Sequence, residues 1–273
     1  MFNDLETKAA TLRQTIFEMM LRAGHGHVGS VLSEIEILVC MFYGGVVRFP
    51  KGGAKDPKRD RVIISKGHAA MALYPILAEL ECFPEEELKR FGTPGSLLRA
   101  FGNISIPGID ATSGSLGHGP GIASGYAYAA KQDGSPSRAF VILSEGEMYE
   151  GSTWESAMFA AHHNLDNLVV VLDRNGQIIL GHTEDLNRLE PIGDKWRSFG
   201  WEVVETDGHS VEQLMSAFGR IGRTDGKPLL ILANTVKGKG ISFMENKAEW
   251  HYWHPMSEEQ VARARADLAR SGK

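Results

Sequence analysis

Glu145 and Asn175 carry the oxygen donors that a hard divalent cation or a phosphate group would use, and each follows a short apolar run. The stretch from Val141 to Gly181 reads as an apolar run, an acidic glycine turn, a helix-like segment, a second apolar run and then Asn175. That order delivers one carboxylate and one amide oxygen to the same end of a parallel sheet. Gly146 lets a backbone pass close to a phosphate, and the helix after the turn would present its positive N-terminus. Spacing alone leaves a plainer alternative open, in which Glu145 caps a helix and Asn175 sits in an ordinary Asn-Gly turn.

Other polar groups next to glycines follow the remaining apolar runs: Ser65–His68, Thr206–His209 and Asn234–Gly238. With Ser144–Glu147 and Asp173–Gly176, this makes five exits from five short runs, the pattern expected of one large polar crevice beyond the carboxyl ends of parallel strands. The segment Ser113–Gly125, SGSLGHGPGIASG, does not follow the G-x-G-x-x-G order and has no clear strand before it. It suits close approach to a flat ring better than a dinucleotide. Of the 10 histidines, His27, His68, His118 and His251 sit in turns flanked by glycine or tryptophan, where an imidazole can face a cleft for proton transfer or hydroxyl binding. Each alone reads as structural.

The elements that must position these groups are legible from periodicity. Leu5, Ala9, Leu12, Ile16 and Met19 mark one apolar face of an opening helix, with Asn3 and Asp4 as its expected caps. A second helical pattern runs to about Phe42, and Arg48–Asp60 reads as a surface loop. Strands are predicted at Arg61–Ser65, Ala139–Leu143, Leu168–Leu172, Trp201–Val204 and Leu229–Ala233. Helices are predicted at His68–Glu81, Ile122–Lys131, Gly151–His163 and Val211–Ile221, and a capping box at Ser257 and Gln260 opens a last one. Alternating strands and helices imply an α/β fold with a mainly parallel sheet and helices on both faces, in a single domain spanning 1–273.

A net charge of −5 with no basic run argues against nucleic acid as a partner. No apolar run approaches the ~20 residues that span a bilayer. The N-terminus is acidic where a signal peptide is basic, and Cys40 and Cys82 form neither a metal pattern nor a disulfide framework, so a cytoplasmic protein is expected.

Several segments in order carry a resemblance: GHGHVGSVLSEIEIL from Gly24, DPKRDRVIISKGHAAMALYPILAE from Asp56, PGIDATSGSLGHGPGIASGYAYAAK from Pro107, EGEMYEGSTWESAMFAAHHNLDNLVVVLDRNG from Glu145, and KGKGISFMENKAEWH from Lys237. The chain resembles the transketolase family, and within it the N-terminal subunit of split, two-chain transketolases. The resemblance implies the thiamine diphosphate-binding fold of a diphosphate-binding domain. It implies a metal, Mg²⁺ or else Ca²⁺ or Mn²⁺, held by Glu145, Asn175 and the backbone carbonyl of Gln177. Gly146 matches the residue beside the phosphates, and Gly114 and Leu116 match the turn against the cofactor rings. His118 stands where a Gln is usual, and Glu150 matches a carboxylate of the subunit interface and cofactor network. His27, His68 and His251 match histidines around the reactive carbon and the sugar hydroxyls.

The implied reaction is ketol transfer in carbohydrate metabolism, a two-carbon unit moving from a ketose to an aldose acceptor, with sugars or sugar phosphates as substrates. The family's pyrimidine-binding domain, with the glutamate that activates thiamine, has no counterpart in this sequence. A C-terminal subunit is the expected partner, in a dimer of heterodimers. Three departures stand out: Glu145 where the family has Asp, Asn103 near a usual substrate-contacting His, and His118. Leu180 replaces a common Asp. Two other readings stay open: a degenerate subunit that binds its partner but not the cofactor, and the α subunit of a 2-oxo acid dehydrogenase.

Overall fold

A computed structural model describes residues 2–270. Its frame is a five-stranded parallel sheet of β1 (Arg61–Ile64), β2 (Ala139–Ser144), β3 (Leu168–Arg174), β6 (Glu202–Asp207) and β7 (Leu229–Asn234), in the order β1-β2-β3-β7-β6. A small antiparallel hairpin, β4 (Gln177–Ile178) with β5 (Gly181–His182), follows β3 and was not anticipated from the sequence. All five predicted strands form, within three residues of the expected bounds.

The inner strands are buried on both faces, so alternate residues feed two cores. Phe140, Ile142, Val169, Val171, Leu229 and Ile231 join one cluster, while Val141, Leu143, Val170, Leu172, Leu230 and Leu232 join the other. The first cluster is covered by α1 (Phe2–Ala23), α2 (Val28–Ser33), α3 (Ile35–Phe42), α4 (Tyr74–Glu79) and α5 (Glu86–Arg90). The second is covered by α6 (His118–Gln132), α7 (Gly151–His162) and, beyond the short α8 (Thr183–Leu186), by α9 (Ile192–Ser198). Then α10 (Val211–Phe218) and α11 (Glu258–Arg270) return to the first side.

Two local expectations are corrected. Asn3 and Asp4 lie inside the first turn of α1 rather than capping it. The helical pattern after His27 is broken into α2 and α3 at Glu34, whose buried side chain turns to Lys66 instead of continuing one apolar face. The predicted capping box at α11 forms: Ser257 N–H donates to Gln260 Oε1 at 3.0 Å and Gln260 N–H donates to Ser257 Oγ at 3.2 Å.

Glycines set the spacing of the layers near the strand ends. A Cβ on Gly67 would stand 2.5 Å from the backbone N of Gly114, so the segment after β1 and the Ser113–Leu116 turn touch backbone to backbone. Gly67→Ala is expected to push that turn away and destabilise the chain by about 1–3 kcal/mol, as overpacking does. Urea unfolding measures it, and an unchanged midpoint would refute the close contact.

Candidate active site

A cavity of about 340 Å³ opens at the carboxyl ends of β1, β2, β3 and β7. The exit of β1 contributes His68, that of β2 Ser144, Gly146 and Tyr149, that of β3 Asn175 and Gln177, and that of β7 Lys237. His27 enters from the start of α2, Phe101, Gly114 and Leu116 from the long loop before α6, and His251 and Tyr252 from the segment before α11. The fifth exit does not join. His209 after β6 folds back onto Glu36, with Nδ1 at 2.9 Å from Oε2, while its Nε2 accepts the Val236 N–H at 2.8 Å.

Three of the four turn histidines meet. The ring centroids of His27, His68 and His251 lie 5.0 Å (His27–His68), 5.5 Å (His27–His251) and 5.6 Å (His68–His251) apart. Burial, aided by neighbouring positive groups, pushes His27 down to about 4 and His251 to about 3, and holds His68 well below the ordinary range. All three are therefore neutral near pH 7, each with one N–H donor and one acceptor nitrogen. His251 Nδ1 is 2.9 Å from Lys237 Nζ. An ammonium only donates, so Nδ1 accepts and the ring proton sits on Nε2. His27 Nδ1 and Gln177 Oε1 are buried without a protein partner, as groups awaiting a ligand would be.

Lys237 was singled out by sequence only as part of a polar strand exit. Its residue surface is 1% exposed, and desolvation pushes its ammonium down to about 8. The signal that marks it is packing: a Cβ on Gly29 would meet Lys237 Cγ at 2.9 Å, so that glycine makes room for the stem. A second buried lysine, Lys66, does not line the cavity. It stands 3.0 Å from Glu34 Oε2, donates to the Ser30 carbonyl at 3.1 Å and pairs with Asp173, which also accepts from Ser33 and Thr235. Burial opposes the Lys66 charge, but Asp173 and Glu34 raise its pKa overall, so this cluster is a closed ion-pair network.

Glu147 was also missed as a keystone, although Ser144-x-x-Glu147 is a capping-box spacing. Its buried carboxylate accepts from Ser144 N–H at 2.9 Å, from Gly117 N–H at 3.0 Å and from Ser65 Oγ. It thereby ties the exits of β1 and β2 to the start of α6. Burial raises its pKa despite those donors.

The remaining expected site residues divide. Gly114, Leu116, Gly146, Asn175 and Gln177 reach the cavity wall. His118 does not: it opens α6 exposed, with Nδ1 3.2 Å from the Leu116 carbonyl, and borders a separate small hollow. Glu150 lies outside the cavity as the exposed N-cap of α7. Asn103 closes its own turn, its Oδ1 accepting the Ser105 N–H at 2.8 Å, and Leu180 is 77% exposed at the hairpin tip.

Glu145 is fully buried but absent from the cavity wall that its neighbours Ser144 and Gly146 line. Arg174 Nη1 lies 3.2 Å from both of its oxygens, Thr183 Oγ1 donates at 3.0 Å and Gly176 N–H at 2.7 Å. Burial raises its pKa, with Arg174 acting in the opposite sense. Arg174→Met would strand this carboxylate, and a loss of about 3–5 kcal/mol is expected, as for a buried pair deprived of one member. Urea unfolding at pH 8 measures it. A loss below about 1 kcal/mol, the worth of a surface pair, would refute the arrangement.

A parallel sheet with a mainly apolar cavity at its carboxyl edge, into which glycine turns, a buried lysine and neutral histidines bring the polar groups, defines a cofactor-binding α/β domain built to hold an anionic group beside a proton-handling cluster. Residues 6–271 match the family model for the transketolase, thiamine diphosphate binding domain, and the chain belongs to that family. It is 40% identical to the 6-deoxy-6-sulfo-D-fructose transketolase subunit of Clostridium sp. (strain MSTE9) over 98% of both chains. It is 38% identical to an apulose-4-phosphate transketolase subunit of Phocaeicola vulgatus over 93% of this chain and 90% of that one. The solved transketolase of Campylobacter jejuni superposes with a TM-score of 0.89 at 29% identity, covering 97% of this chain and 42% of that one. The expected fold and family are thus correct, and the chain spans well under half of that solved enzyme.

Proposed function

We propose that this chain is the diphosphate-binding subunit of a two-chain transketolase, which moves a two-carbon ketol unit from a ketose to an aldose. The observation that carries this reading is the meeting of His27, His68 and His251 with Lys237 and Asn175 around one cavity at the strand ends. When bound, thiamine diphosphate supplies a carbanion-stabilising centre for breaking and forming carbon–carbon bonds.

The residues present fit that cofactor. Lys237 offers a buried positive charge to the diphosphate, Asn175 an amide, and Gly146 a backbone without side-chain obstruction. The Gly114–Leu116 turn and Phe101 give the rings an apolar wall. The three neutral imidazoles grip sugar hydroxyls and pass protons between them, which a permanently charged cluster could not do in both directions. A divalent cation with Glu145 as ligand does not fit, because that carboxylate faces Arg174.

The partner reading draws on the surface. The cavity mouth is rimmed by Phe101 (41% exposed), Ile179 (46%) and Tyr252 (45%), and α6 and α7 expose Tyr128, Met158 and Phe159. An apolar rim at the site and an exposed apolar ridge are what a covering subunit buries. The first two relatives named above carry names of enzymes for a sulfonated and a phosphorylated sugar, so both substrate classes belong in the assay.

The test is co-expression with a C-terminal transketolase subunit, followed by a screen of ketose donors and aldose acceptors. Ketol transfer is expected from the pair and none from this chain alone. Assembly with the partner but neither cofactor binding nor transfer would overturn the reading in favour of a non-catalytic subunit.

A further inference from the structure

Both carboxylate oxygens of Glu145 are engaged by protein donors, the charged one being Arg174. Oε1 accepts from Arg174 Nη1 at 3.2 Å and Thr183 Oγ1 at 3.0 Å, and Oε2 from Arg174 Nη1 at 3.2 Å and Gly176 N–H at 2.7 Å. Three donor groups engage the carboxylate, Arg174 Nη1 being shared between both oxygens, and its charge partner is a guanidinium. Arg174 is held from its other side by Glu190, whose Oε1 lies 3.0 Å from Nε and 2.7 Å from Nη2. The guanidinium is thus anchored at both ends and cannot swing clear without leaving two carboxylates unpaired.

Nothing else on the wall replaces the missing ligand. Among the described residues, no group of three or more His, Cys, Asp or Glu side chains could hold a metal ion. Asp173, the next carboxylate along β3, is taken by Lys66, Ser33 and Thr235. Asn175 Oδ1 already accepts the Gln177 N–H at 3.2 Å. A cation seated there would find neutral oxygens only, with a fixed guanidinium and the Lys237 ammonium close by to repel it, and hard divalent cations favour carboxylate ligands.

We propose that this chain captures thiamine diphosphate without a divalent cation, Glu145 and Arg174 forming an internal ion pair where a metal-bound carboxylate would stand and Lys237 supplying the positive charge toward the diphosphate. The inference rests on the thiamine diphosphate reading above. It also assigns Glu145 a positioning role: through Gly176 and Thr183 it fixes the turn that presents Asn175 and Gln177.

The test uses the full chain in complex with its C-terminal partner, freed of metal by EDTA. Thiamine diphosphate is titrated calorimetrically in EDTA, in Mg²⁺ and in Ca²⁺, and the loaded complex is passed through a desalting column in Mn²⁺ before its metal content is measured. The expected result is one affinity in all three buffers, within about threefold, and no Mn²⁺ retained. Tightening by roughly tenfold or more with either ion, or one Mn²⁺ per site, overturns the inference and leaves the cofactor reading intact. Absence of binding in every buffer overturns both. Glu145→Gln adds a second readout: the ratio of affinities with and without Mg²⁺ should not change, and a fall in that ratio would mark Glu145 as a ligand.

Discussion

A Lys237→Met chain is expected to lose thiamine diphosphate while becoming more stable. Lys237 lies buried on the cavity wall, and its ammonium is pushed down to about 8, mainly by desolvation. Methionine keeps the stem that packs against Gly29 and removes the desolvated charge. A hydrogen bond to a charged group is worth about 1.5–3 kcal/mol, so calorimetry should show the dissociation constant rising roughly tenfold to a hundredfold. The unliganded variant should melt higher, by roughly 2–4 °C for each kcal/mol of relief in a chain of this size. Unchanged affinity, or a lower melting temperature, would overturn the assignment.

The pH dependence has a definite sign. The folded-state value near 8 lies below the ordinary 10.5, so between these limits the unfolded chain binds the additional proton and wild-type stability climbs with pH. Lys237→Met removes that climb. Cofactor affinity runs the other way: it requires the cation and falls as pH rises past 8, with bound diphosphate moving the fall upward by holding the proton in place.

The second large effect concerns His27, His68 and His251. Replacing any one by alanine in the assembled enzyme should lower kcat/KM by about 10²–10⁴-fold, the range for loss of a proton-transfer group, with little change in cofactor affinity. Because burial depresses His27 to about 4 and His251 to about 3, these rings hold no proton to lose between pH 5 and 7. The wild-type profile should show no histidine limb there. Stability does respond. The unfolded histidines take up protons below about 6.5, so the folded chain loses stability as pH falls from there toward 4 and 3. A His27→Asn/His251→Asn chain should show a shallower decline in urea midpoint over that window. An equal slope would mean that the rings are not buried neutral.

The frame of this protein was legible because burial writes itself into sequence. Phe140 to Leu143 and Val169 to Leu172 are apolar without a break, as strands covered on both faces must be. The capping box at Ser257 was legible for a related reason, since both of its hydrogen bonds are made within one helical turn. The hairpin after β3 and the short α8 and α9 were not: their residues are mostly exposed or half-exposed, and their shape depends on contacts such as Thr183 to Glu145.

At the site the division is sharper. Sequence alone determined which residue types leave the strand ends, because a parallel sheet puts every strand exit at one edge. That was enough to bring His68, Asn175, Gln177 and Lys237, each just past a strand, to one cavity. Only the tertiary structure decided where their neighbours turn. It placed His209 on Glu36, left His118 and Glu150 outside the cavity, brought His27 and His251 into it from the start of α2 and the segment before α11, and turned the Glu145 carboxylate to Arg174. The reason is that a buried charge goes to whichever partner the packing brings within reach, and that partner is fixed by three-dimensional contacts rather than by position along the chain.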